Sequence, residues 1–91
     1  MTINNTTSNT FSWFCFNSLD AFKLSALASG DLDGNTSKSY TPPDNTNGFY
    51  GVRFTAKGGG LEYAMGTVSK DGRIELIGTT DGTYSVNVAK S

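Results

Sequence analysis

The sequence predicts a small all-β fold, an antiparallel sandwich or open barrel of six or seven strands that ends in a four-stranded meander. Three observations carry that expectation. Thr, Gly, Ser and Asn account for 41 of the 91 residues and only 15 are charged. That composition suits short strands joined by turns and not charged helical bundles. From Phe49 onward apolar side chains recur at alternate positions, the period of a half-buried strand. Two Asp-Gly pairs, Asp71-Gly72 and Asp81-Gly82, stand ten residues apart, each before an alternating run. Glycine there supplies the positive φ that tight hairpins require.

Taken in order, residues 1–9 are polar and are expected to be a flexible arm, or an edge that orders on contact, ahead of a single β domain over 10–91. Residues 10–17 form a dense aromatic run. In a strand it sets Phe11, Trp13 and Cys15 on one face and Phe14 and Phe16 on the other, as in a central or interfacial strand. Residues 18–30 read two ways. As a helix, Ser18 caps the start and Gly30 marks the exit; as a strand, Phe22, Leu24 and Ala26 alternate with Lys23 and Ser25. The strand fits the β-rich surroundings, and an α+β fold with a helix at about 19–29 is the alternative. Residues 31–48 are a long polar connection in which Ser39-Tyr40-Thr41 can form a short edge strand ended by Pro42-Pro43.

Beyond Phe49 the pairing registers follow from keeping one face apolar. A two-residue Gly58-Gly59 turn sets Val52 against Met65, Phe54 against Tyr63 and Ala56 against Leu61. A two-residue Asp71-Gly72 turn then sets Thr67 against Leu76. At the last hairpin a three-residue loop, Thr80-Asp81-Gly82, sets Ile74 against Val88, Leu76 against Val86 and Gly78 against Tyr84, with Gly82 left-handed in a bulged turn. The resulting meander would present Val52, Phe54, Ala56, Leu61, Tyr63, Met65, Ile74, Leu76, Tyr84, Val86 and Val88 to a second sheet made of the N-terminal strands.

The same residues argue against most chemistry. There is no histidine, which removes Ser-His-Asp and Cys-His nucleophile activation and imidazole ligation of metals. Cys15, the one cysteine, forms no internal disulfide and reads as a buried, inert thiol. Glu62 and Glu75 fall on the exposed face of the expected meander, without the desolvated cleft that a paired-carboxylate hydrolase needs. Asp31-Leu32-Asp33-Gly34 departs from a calcium loop: its glycine comes two residues early and Pro42 takes the position of the bidentate Glu. Seven scattered basic residues and a net charge of −1 offer no field for nucleic acid. Neither a metal nor another cofactor is expected. No apolar stretch reaches the ~18–20 residues of a membrane span, and the N-terminus lacks the basic and apolar regions of a signal peptide. The chain is therefore expected to be cytoplasmic or released without a conventional signal.

What remains is a binding role. The 31–48 connection gathers Asp31, Asp33, Asn35, Tyr40, Asp44, Asn45 and Asn47, with Phe49 beside it. Short polar groups bond hydroxyls and an aromatic face covers an apolar C–H patch, the requirements of a sugar. The leading expectation is a non-enzymatic, lectin-like carbohydrate-binding module, and a homo-oligomer that buries Trp13, Phe14 and Phe16. The alternatives are a self-assembling structural β-protein that pairs through open edges, and a small cytolysin-like protein whose aromatics enter a membrane surface.

Overall fold

Two four-stranded sheets pack face to face, and each mixes strands from both halves of the chain. The computed structural model describes residues 1–17, 26–79 and 81–90. The strands are β1 (Thr2–Asn5), β2 (Phe11–Asn17), β3 (Ala28–Leu32), β4 (Thr36–Ser39), β5 (Phe49–Ala56), β6 (Glu62–Ser69), β7 (Gly72–Gly78) and β8 (Tyr84–Lys90). One sheet runs β4-β1-β7-β8 and the other β3-β2-β5-β6. Among the described residues there is no helix. The all-β sandwich is thus as expected, with eight strands among the described residues where six or seven were expected. The strand-or-helix question at 18–25 lies outside the described residues, and β3 begins at Ala28.

Three expectations about topology are corrected. The polar N-terminus is not an arm: β1 is an inner strand, antiparallel to β4 and parallel to β7, with Ile3 opposite Ile74 and fully buried. The C-terminal strands do not form one meander, because the Asp71-Gly72 turn carries the chain from one sheet to the other. With β1 taking the ladder position beside β7, Val68 and Ile74 face the core from opposite sheets, at 1% and 0% exposure. That arrangement lets the apolar faces of β5 and β7 bury one another. Third, the short strand in the 31–48 connection is Thr36–Ser39, and Tyr40 follows it with its N–H on the Met1 carbonyl at 2.9 Å.

Registers hold near the turns. The β7–β8 hairpin pairs Ile74 with Val88, Leu76 with Val86 and Gly78 with Tyr84, and Gly82 has φ +85°, as the apolar-face argument requires. The β5–β6 hairpin keeps the Ala56 N–H on the Leu61 carbonyl (3.0 Å), but a bulge between Phe54 and Thr55 slips the rest by one residue. Val52 therefore faces Gly66, and Met65 moves to the outer side beside Arg53. The slip brings Tyr63 to Phe11 and Tyr84, at ring-centroid distances of 5.3 and 5.1 Å. Leu61, expected in the core, is 66% exposed.

The core consists of Ile3, Phe11, Trp13, Cys15, Leu32, Tyr50, Val52, Phe54, Val68, Ile74 and Leu76. Each such side chain contributes roughly 1.5–3 kcal/mol on burial. Central β2 is apolar on both faces, as its sequence implies. Its inner residues join the core, and on its outer face the Arg53 guanidinium carbon lies 5.1 Å from the ring centroids of both Phe14 and Phe16. Trp13 and Phe16 are 3% and 4% exposed, so the fold itself buries two of the aromatics expected to be free for a partner or a lipid surface.

Candidate functional site

Asn5 organises one end of the sandwich. It is fully buried, and all four of its side-chain hydrogen-bonding positions are used. Its Nδ2 donates to the carbonyls of Asn9 (2.7 Å) and Leu32 (3.0 Å), and its Oδ1 accepts from the Thr7 N–H (3.0 Å) and hydroxyl (2.7 Å). The β1–β2 loop is held further by Thr6, whose N–H and hydroxyl both donate to the Leu76 carbonyl (3.0 and 2.7 Å), and by the Asn35 N–H on the Thr7 carbonyl at 2.9 Å. Gly34 presses against this loop so closely that a Cβ there would sit 2.5 Å from the Ser8 carbonyl carbon. Only glycine fits at that approach.

Opposite the loop stands the β7–β8 turn. The Asp81 carboxylate accepts the Thr79 hydroxyl, the Thr83 hydroxyl (2.8 Å) and the Thr83 N–H (3.2 Å). These donors hold its pKa down at about 2, with the Thr79 bond the largest cause. Between loop and turn lies a cleft of about 260 Å³. Its wall includes Thr6, Thr7, Asn9, Thr79, Thr83 and Tyr84. The Asn9 amide reaches the Tyr84 hydroxyl at 3.4 Å, and the Tyr84 ring is braced edge-on by Phe11 at 4.9 Å. The lining offers hydroxyl and amide donors and acceptors beside one aromatic ring, and no carboxylate, ammonium or guanidinium group. Its groups can donate to and accept from a neutral polar molecule.

The residues expected to form the site are divided between the two ends of the sandwich. Asp31 lies on edge strand β3 and accepts the Ser12 hydroxyl at 2.6 Å. Asp33 accepts from Thr10 at 3.2 Å, and Asn35 takes a left-handed turn conformation with φ 59°. At the opposite end Asp44 pairs with Lys70. Asn45 bonds Asn17, the Phe49 carbonyl and the Gly48 N–H at 3.2, 2.8 and 2.7 Å, and Asn47 accepts the Phe49 N–H at 3.1 Å. Phe49 is 48% exposed, and Tyr40 lies half-buried with its ring 5.7 Å from Trp13. The chain does not bring these eight together, and the bonds around Asn35, Asn45 and Asn47 are those of turn-forming residues. The cleft residues that sequence reasoning missed, Thr6, Thr7, Asn9, Thr79, Thr83 and Tyr84, converge only because β1 pairs with β7, a contact with no local sequence signal.

Cys15 is buried, and loss of solvation raises its pKa to about 11, the profile of an inert thiol. Among the described residues, no helix is long and apolar enough to cross a membrane. No protein-family profile, curated protein or solved structure matches this chain.

Proposed function

We propose that this protein is a non-enzymatic recognition module for a neutral carbohydrate, held in the cleft between the β1–β2 loop and the β7–β8 turn. One observation carries the reading: hydroxyl and amide groups from Thr6, Thr7, Asn9, Thr79 and Thr83 surround a space of about 260 Å³ beside the Tyr84 ring. A sugar presents hydroxyls that both donate and accept, plus an apolar C–H face, and this lining complements both. The proposal moves the site away from the 31–48 connection, whose candidate residues are divided between the two ends of the sandwich. A glycan array probed with the wild-type chain and with Asn9→Ala tests this. The expected result is binding to at least one neutral glycan that Asn9→Ala abolishes or weakens about tenfold, the equivalent of one good hydrogen bond. No binding across the array, or binding indifferent to Asn9→Ala, overturns it.

A further inference from the structure

We propose that two copies of this chain pair antiparallel through strand β8 about a two-fold axis, joining their β4-β1-β7-β8 sheets into one eight-stranded sheet. Each of the other three edges carries a feature that discourages pairing. Strand β4 has only four residues and places Lys38 opposite Ile3, on its core-facing side. Strand β3 carries Asp31, and the Trp13 indole lies over its Gly30. Strand β6 begins with Glu62 and contains the bulge. Strand β8 is longer and regular: Tyr84-Ser85-Val86-Asn87-Val88-Ala89 is uncharged, and its one charged residue, Lys90, stands at the end of the seven-residue ladder to β7, opposite Gly72.

The hydrogen-bond phase makes this edge self-complementary. The Thr79 N–H donates to the Thr83 carbonyl at 2.9 Å, and antiparallel alternation from that pair turns the N–H and C=O groups of Tyr84, Val86 and Val88 away from β7. A two-fold centred on Asn87 sets Val86 against Val88 of the second copy twice, both with outward backbone groups, and sets Ser85 against Ala89. Every residue of β8 is then paired and no like charges meet. Two apolar side chains left open at this edge, Val88 on β8 and Tyr63 against Tyr84, are 42% and 38% exposed. A second copy is the occupant because the strand matches itself in length, charge and phase.

Asn87 distinguishes dimer from fold. Within one copy it is exposed and lies across from Glu75, so Asn87→Lys adds a favourable cross-strand pair. Across the two-fold the same change sets two ammonium groups face to face. Sedimentation equilibrium is expected to give twice the 9.7 kDa chain mass for the wild type and the single mass for Asn87→Lys, with unchanged circular dichroism. As an independent reading, Asn87→Cys sits at a non-hydrogen-bonded pair, where Cα atoms approach to ~4.5 Å, within disulfide reach. Mild oxidation should cross-link it almost completely, while Asn4→Cys on the same sheet face, far from the two-fold, should not be cross-linked; buried Cys15 does not interfere. A monomeric wild type, a dimer unaffected by Asn87→Lys, or equal cross-linking of both cysteine variants overturns the proposal.

Discussion

The Asn9 amide nitrogen lies 3.4 Å from the Tyr84 hydroxyl, linking the β1–β2 loop to the first residue of β8 across 75 positions of sequence. At that length and exposure the bond adds little to folding, at most about 0.5 kcal/mol. Asn9→Ala and Tyr84→Phe are therefore expected to leave the urea midpoint almost unchanged while removing groups from the cleft. A shift in the midpoint comparable to that of a core truncation would assign these side chains to stability instead.

Asn5 carries the opposite expectation. Replacing it with Ala strands the Leu32 carbonyl and the Thr7 N–H in a buried setting. Each unsatisfied group costs about 1–3 kcal/mol, so equilibrium unfolding should show a loss of roughly 2–4 kcal/mol. A loss under 1 kcal/mol would mean that water or the loop takes over those bonds.

Gly82 holds φ +85°, where a Cβ is unfavourable although the surrounding space is open. Gly82→Ala should destabilise by about 1 kcal/mol through backbone strain alone, and Gly82→Asn by less, since Asn tolerates the left-handed region. Equal losses for the two variants in thermal melts would contradict this.

The pKa of Asp81 is lowered from 3.8 to about 2 by its bonds to Thr79 and Thr83. A depressed folded-state pKa adds stability that is fully present above the unfolded value and is lost as pH falls through the folded value. The stability difference between wild type and Asp81→Ala should therefore be largest above about pH 4 and should shrink as pH drops through about 2. Melts of the two proteins along that range provide the check, and a difference that does not vary with pH would refute the assignment.

How far the fold was legible follows from the range of each interaction. The β7–β8 register could be read because one apolar face and one Asp-Gly turn determine it locally. The β5–β6 register could be read only up to the bulge, since nothing local marks Tyr63 as the extra residue. The place of β1 could not be read, because one Ile among polar residues carries no periodicity and its pairing with Ile74 spans 71 positions. That omission hid the cleft as well: Asn9 and Thr83 become neighbours only through the β1–β7 pair. The 31–48 residues attracted attention because turn formers and sugar-binding groups are the same residue types, and only the structure distinguishes a bonded Asn45 from a free one.

The most direct test of the cleft as the recognition site is a two-dimensional amide NMR titration with the neutral glycan selected on the array. The expected result is shift changes at Thr6, Thr7, Asn9, Thr79, Thr83 and Tyr84 that saturate together and, in Asn9→Ala, need about tenfold more glycan. Changes concentrated instead at Asn45, Asn47 and Phe49 would contradict it and return the site to the opposite end of the sandwich.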